Sequence, residues 1–273
     1  MPSEIEINNK KIYLERMSKP LQEKLKVVKY FPSGAKRILD VGCADGTVTI
    51  ALAQLFPNIE FLGIDLDKEF ISIAKDRAKE EGVKNVSFKK CYLRDLLQRE
   101  EKYDAVVFIS VMHEFYSYGE GISSVLKAMA DAHELLVDNG EIVVRDMILH
   151  EYTKHTKFNV DTILEKIRNK KDIIPYLDDF EEIFGKADSI YKANHFLLKY
   201  FYTENWDRES KEYYVPVTFE QYQEMFSLLG MDMQYMNSYT IPFLSNKWMQ
   251  DFGLTKHEIE SLSSTGFIVA RKK

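Results

Sequence analysis

Arg37-Ile38-Leu39-Asp40-Val41-Gly42-Cys43-Ala44-Asp45-Gly46-Thr47 is the stretch on which the reading turns. The apolar run Ile38–Val41, interrupted only by Asp40, ends at a glycine, and a small-residue turn follows. From Thr47 to Phe56 the pattern becomes helical, with Val48, Ala51, Leu52 and Leu55 on one face. A buried parallel strand that feeds a helix through glycines is the nucleotide-binding corner of a doubly wound sheet. Gly42 and Gly46 let the backbone approach a ligand where a side chain would clash, and Asp45 is placed to cap the helix.

Outward from this corner the strand–helix alternation continues. Ile59–Asp67 reads as a second strand that ends in acids. Asp65 lies about 20 residues past the glycine turn, where a carboxylate accepts from both hydroxyls of a ribose. Asp67 is expected to cap a helix over 68–81, whose apolar face is Phe70, Ile71, Ala74 and Ala78, and Gly82 ends it. Val86–Cys91 is a third strand, with Arg94 and Asp95 after it read as a local pair or helix start. Tyr103–Val111 is a fourth strand, followed by Met112-His113-Glu114-Phe115-Tyr116-Ser117-Tyr118-Gly119. A helix over 122–136, the turn Asp138-Asn139-Gly140 and a fifth strand, Glu141–Asp146, come next. A helix over 219–229, a strand near 233–241 and a last strand over 266–270 close the chain. Residues 243–263, with Trp248, form a small insertion between those two strands. At the other end, Leu21, Leu25, Val28, Tyr30 and Phe31 suggest a helical face that covers the sheet edge, with Tyr13 and Arg16 as possible exceptions facing the ligand.

The spacing Asp40-x-Gly42-x-Ala44-x-Gly46 is not the G-x-G-x-x-G of dehydrogenases. It resembles motif I, D-x-G-x-G-x-G, of the class I S-adenosylmethionine-dependent methyltransferases, with Ala44 at the middle glycine. Tyr103-Asp104-Ala105-Val106 resembles that family's Y/F-D-x-V strand, and Leu136–Ile142 its L-x-x-G-G-x-hydrophobic pattern. The resemblance covers 37–148 by motif and 216–273 by element order. It implies an α/β fold: a doubly wound, mostly parallel seven-stranded sheet with an antiparallel last strand. It also implies S-adenosylmethionine as cofactor, with S-adenosylhomocysteine as product. Asp40, Gly42, Cys43, Ala44 and Gly46 would surround the cofactor's amino-acid end. Asp65 would take the ribose, Leu66 the adenine face, and Ser110 would sit beside the cofactor at the end of the fourth strand. Many relatives carry Asp where this chain has Cys91, so Cys91 and Tyr92 are left to frame the adenine.

Three organisational units follow: a helical lid or cover over 1–36, a Rossmann-like domain from 37–149 and 216–273, and an inserted, mainly helical cap over 150–215. The cap is charged and aromatic-rich, with Phe196, Tyr200, Phe201, Tyr202 and Trp206. Strand carboxyl ends face the crevice of an open α/β sheet, so His113, Glu114 and Asp146 are the candidate catalytic acid–base groups. As the alternative to an acid–base role, Glu114 could instead pair with Arg145 across two strand ends and fix the pocket floor. Tyr116 and Tyr118 are read as pocket walls, with a π-face for the sulfonium as the sharper alternative.

Composition narrows the partners. At 273 residues the chain can bury one sizeable core and still build a cap. A net charge of −6 argues against nonspecific nucleic-acid binding, which needs a basic footprint. Cys43 and Cys91 make no metal spacing, and the remaining histidines show no ligand pattern, so no metal site is expected. The lack of a signal-like start or long apolar run leads to an expectation of a cytoplasmic protein with no membrane partner. An enclosed aromatic cap favours a small-molecule acceptor. The alternatives are an RNA or protein methyltransferase, which would show a basic groove leading to Ser110; a nicotinamide-dependent oxidoreductase; and a non-catalytic cofactor-binding module, in which the space beyond His113 would be closed. The oligomeric state is not legible.

Overall fold

The structure, a computed structural model, describes residues 20–273. Tyr13 and Arg16 lie outside the described residues. One seven-stranded sheet runs β3-β2-β1-β4-β5-β7-β6. Its strands are β1 (Arg37–Val41), β2 (Glu60–Asp65), β3 (Val86–Lys90), β4 (Tyr103–Ile109), β5 (Leu136–Asp146), β6 (Asp232–Tyr239) and β7 (Thr265–Arg271). β1 to β5 are mutually parallel, and β7 runs antiparallel to both β5 and β6. The order reverses between β1 and β4, so the crevice opens over their carboxyl ends.

Among the described residues, twelve α-helices accompany the sheet: α1 (Leu21–Lys24), α2 (Thr47–Leu55), α3 (Lys68–Glu80), α4 (Met112–Ser117), α5 (Ile122–Leu135), α6 (Val160–Arg168), α7 (Ile174–Phe184), α8 (Ile190–Lys199), α9 (Trp206–Glu209), α10 (Phe219–Leu228), α11 (Pro242–Phe252) and α12 (Lys256–Glu260). One face of the sheet packs on α4, α5 and α10 through Val125, Met129, Phe219 and Phe226. The other packs on α2 and on a 3-10 turn, Leu25–Tyr30, through Leu52, Ala53 and Val27. No described helix is long and apolar enough to cross a membrane.

Several local expectations differ from the observed packing. α2 buries Thr49, Ile50, Leu52 and Ala53, while Leu55 is 57% exposed. The helix is wedged between two clusters, and the Thr49 hydroxyl turns inward to donate to Asp40 at 2.6 Å. In the leading segment the tighter 3-10 turn aligns residues three apart, so Lys24 and Val27 are buried rather than the helical face through Val28. Asp138–Gly140 is not a free turn. Asn139 N–H donates to Lys272 O and Lys272 N–H donates to Gly140 O, which starts β5 at Leu136.

The insertion has its own core. Leu164, Phe180, Phe196 and Tyr200 share it with Trp248, Phe252 and Ile259 of α11 and α12. The Trp248 indole N–H donates to Leu197 O at 3.1 Å, and Asn194 both donates to and accepts from the Ser263 backbone. The two insertions therefore fold as one body over one end of the sheet.

Candidate active site

The β1 turn is braced from three sides. Gly42 and Cys43 donate to Ile64 O, at 2.8 and 3.0 Å. Ala44, with φ 46, donates its N–H to Asp65 Oδ2 at 2.9 Å. Arg77 of α3 pairs with Asp45 Oδ2 at 2.8 Å, while Asp45 Oδ1 accepts from the Thr47 N–H and hydroxyl. The helix cap itself is Gly46, so Asp45 supports the first turn from one position earlier.

The glycines answer first to packing. A Cβ on Gly42 (φ 76) would lie 2.4 Å from Val111 Cγ2, and one on Gly46 (φ 75) would lie 2.7 Å from Ala74 Cβ and 2.8 Å from Phe88. The atoms that exclude a side chain there belong to the protein, which revises the expectation that ligand approach dictates both glycines.

Asp40 and Asp65 have different environments. Asp40 is sealed off, holds Thr49, and is pushed up to about 6 by burial, against the Thr49 hydrogen bond and the Lys24 charge. It acts on the turn from beneath. Asp65 remains partly exposed at the tip of β2, also raised to about 6 by burial. Its oxygens accept the backbone N–H groups of Ala44 and Asp67, with the Leu66 N–H also directed at the carboxylate, and acceptor capacity remains on its exposed side. Asp67 caps α3 by accepting from Glu69 and Phe70, as the sequence predicted. Beside it Cys91 N–H donates to Asp65 O at 3.3 Å; Leu66 is half-buried and Tyr92 is 38% exposed. Asp95 closes a capping box on Tyr92, which settles it as a helix start. A partly exposed carboxylate, a half-buried leucine and an exposed tyrosine on adjacent strand ends fit a nucleoside.

The candidate acid–base groups divide into two pairs. His113 Nδ1 lies 2.9 Å from Asp146 Oδ1, and Asp146 Oδ2 accepts from the His113 backbone N–H. Burial opposes charge on this ring, but the Asp146 charge and hydrogen bond outweigh it and raise His113 to about 9. Asp146 is held below the usual carboxylate range: burial opposes its charge most strongly, but the His113 charge together with hydrogen bonds from the His113 ring and the Met147 and His113 backbone outweighs it. Glu114 does not pair with Arg145. It meets Arg208 of α9 at 3.1 Å, which also holds Glu212 at 2.7 Å and the Tyr118 hydroxyl at 3.0 Å. Tyr118 is thereby committed to a polar cluster between cap and sheet, and the Tyr116 ring meets Tyr213 at a tilt, with centroids 5.2 Å apart. Ser110, with φ 58, ends β4; its N–H donates to Arg145 O and its Oγ accepts from Arg145 Nη1.

All these groups lie at the carboxyl ends of β1 to β5. Sequence reasoning missed Thr49, Val111, Arg77, Arg208 and Glu212. Arg208 and Glu212 had one faint signal, an i,i+4 charge pair within an amphipathic segment. Nothing local connects Arg208 to Glu114, 94 residues away. Among the described residues no group of three His, Cys, Asp or Glu side chains is placed to hold a metal ion.

Comparison with known proteins adds the following. A family model described as a methyltransferase domain matches residues 32–215. Over 81 residues the chain is 40% identical to malonyl-[acyl-carrier protein] O-methyltransferase of Bacillus anthracis, a stretch covering 29% of this chain and 28% of that protein. It is 28% identical over 120 residues to the uncharacterized methyltransferase YcgJ of Bacillus subtilis, covering 44% of this chain and 46% of that one. The chain thus spans less than half the length of either curated relative. In three dimensions the YcgJ crystal structure aligns over 92% of this chain and 99% of its own, with a TM-score of 0.52 at 15% identity. Magnesium protoporphyrin IX methyltransferase of Synechocystis PCC 6803, solved with bound SAM, aligns over 99% of this chain and 87% of its own, with a TM-score of 0.51 at 11% identity.

Proposed function

The chain belongs to the methyltransferase-domain family, and from that premise we propose that it transfers the methyl group of S-adenosylmethionine to a small-molecule acceptor lying between the sheet's carboxyl edge and the helical cap. The observation that carries the reading is Asp65. Its carboxylate is fixed by backbone N–H groups at the tip of β2 and stays partly exposed, with acceptor capacity left for ribose hydroxyls.

When bound, S-adenosylmethionine supplies a methyl group already activated on a sulfonium sulfur. The protein's work is then to position two partners and exclude water, and positioning supplies up to about 7–11 kcal/mol. Asp65 would hold the ribose, Leu66 the adenine face, and Cys91 with Tyr92 its edge. Gly42, Cys43, Ala44 and Gly46 would line the amino-acid end, with Asp40 bracing that turn from beneath and Ser110 across from it.

His113 and Asp146 form the wall beyond. Asp146 occupies Nδ1, so Nε2 is the ring atom from which a proton can be exchanged with the acceptor. A ring held protonated at neutral pH does not take up a further proton. This favours acceptors that present a lone pair of their own, such as an amine or an ionised oxygen, over an un-ionised hydroxyl. Glu114, fixed by Arg208, would join the cap to that wall.

The test is to incubate the protein with methyl-labelled S-adenosylmethionine and a cell extract split into dialysable, RNA and protein fractions. Label should enter the dialysable fraction. Label confined to RNA or protein would replace the small-molecule acceptor, and no transfer into any fraction would remove the activity.

A further inference from the structure

Among the described residues, Arg145 is a buried cation with no counter-ion. It stands next to last in β5, with 5% of its surface exposed. Its five N–H groups find two acceptors, both neutral: Nη1 donates to Ser110 Oγ at 2.6 Å and Nη2 to Thr265 Oγ1 at 3.3 Å. Nε is buried with no acceptor. Among the described residues no carboxylate forms an ion pair with it. The acids whose fields reach it are engaged elsewhere: Asp146 with His113, and Glu23 with Lys26 at 2.6 Å and the Tyr239 hydroxyl at 2.7 Å. Lys24, itself buried and sensing Arg145, adds positive potential on the same side.

A desolvated guanidinium with neutral partners is among the costlier arrangements a folded chain can hold. Here it stands at the carboxyl ends of β4 and β5, the edge over which the crevice opens. Ser110 is partly exposed and holds a left-handed backbone at the end of β4, so the guanidinium is one hydroxyl away from the crevice. Its planar fork matches a carboxylate in two parallel hydrogen bonds. One guanidinium balances one negative charge, whereas a phosphate dianion would leave a second charge beside Asp146.

We propose that Arg145 receives a carboxylate of the acceptor, so that the methyl acceptor is a small carboxylic acid anchored through that group. This rests on the methyl-transfer reading. The guanidinium is an anchoring group and takes no part in proton transfer.

The test uses the full chain and two variants, Arg145→Met, which removes the charge, and Arg145→Lys, which keeps the charge but loses the fork. Calorimetry with saturating S-adenosylhomocysteine would titrate aliphatic and aromatic monocarboxylates and their primary amides. The wild type should bind acids in preference to amides. Arg145→Met should weaken the acids at least about tenfold, with Arg145→Lys between the two. S-adenosylhomocysteine affinity should stay unchanged, and ligand-free Arg145→Met should melt no lower than wild type, because an uncompensated buried charge is gone. Acids bound no better than amides, or equally well by Arg145→Met, would overturn the proposal. So would a melting temperature well below wild type, which would make Arg145 a brace between β4 and β7. A loss of S-adenosylhomocysteine binding in Arg145→Met with intact binding of 5′-methylthioadenosine, which lacks the carboxylate, would assign the guanidinium to the cofactor and overturn the acceptor claim. A wild type that binds no S-adenosylhomocysteine would instead bring down the methyl-transfer reading itself.

Discussion

His113 and Asp146 are one ionic unit: Nδ1 and Oδ1 stand 2.9 Å apart, both side chains are almost wholly buried, and a second bond joins Asp146 to the His113 backbone. The pair closes the carboxyl ends of β4 and β5 and fixes the charge on the wall the acceptor would meet. The imidazole should therefore titrate near 9 by NMR. In Asp146→Asn burial is opposed only by the charges of Glu212 and Glu114, so the ring should titrate well below the wild-type value. A wild-type ring titrating at about 6.5 would dissolve the ionic pair.

The same pair sets a pH window for stability. The folded pKa of His113 lies above its unfolded value, so its contribution is full below 6.5 and is lost as pH rises through about 9. Asp146, depressed in the fold, contributes above its unfolded value and loses that contribution only in acid. Asp146→Asn should cost about 3–5 kcal/mol near pH 6, as expected when one partner of a buried pair is removed, and clearly less above pH 9. Denaturant unfolding at the two pH values measures the gap, and a gap that does not narrow contradicts the assignment.

Gly42→Ala is predicted to destabilise the chain by about 1–3 kcal/mol, through overpacking against Val111 and a left-handed backbone. The double variant Gly42→Ala/Val111→Ala should lose less than the sum of its parts, because the second change vacates the space that the new methyl enters. Additive losses would mean that Val111 is not what the glycine accommodates.

Much of this arrangement is legible locally. Asp40, the glycine turn, Asp65 and the Asp67 cap all sit within about 30 residues, the length of one βαβ unit, and their roles follow from spacing. What escapes is long-range. The start of β5 depends on Lys272 pairing across to Asn139 and Gly140, so the local signal reads as a turn. The partner of Glu114 comes from the cap, whereas the expected strand order pointed to Arg145 at the neighbouring strand end. The exposure of Leu55 reflects Thr49 turning inward to Asp40, a polar preference that apolar periodicity does not register. The union of the two insertions around Trp248 is set by tertiary contacts alone.

Arg208 ties the cap to α4 through Glu114 and Tyr118. Arg208→Met should raise hydrogen exchange in 203–215 and 112–118 together, since both sides of the junction lose the same clamp. Binding of an acceptor in the presence of S-adenosylhomocysteine should lower exchange across 150–215 beyond the effect of S-adenosylhomocysteine alone. Equal exchange in both states would make the cap structural only.

Asp65 accepts charge-assisted hydrogen bonds from both ribose hydroxyls only when ionised, and protonation leaves the weaker acceptance of a neutral acid. Because burial holds it near 6, S-adenosylhomocysteine affinity should fall as pH drops through that value. Asp65→Asn should be weak and nearly independent of pH over the same range. A wild-type affinity that is flat between pH 5 and 7 would remove the carboxylate from the ligand.

The most direct test of the central claim is calorimetric titration of the wild type and Asp65→Ala with S-adenosylhomocysteine and with NAD. The wild type should bind S-adenosylhomocysteine and not NAD. Asp65→Ala should bind S-adenosylhomocysteine about 10–150-fold more weakly, the equivalent of a charge-assisted hydrogen bond worth about 1.5–3 kcal/mol. Binding of NAD with no binding of S-adenosylhomocysteine would contradict the account, and an unchanged dissociation constant in Asp65→Ala would remove the residue on which it rests.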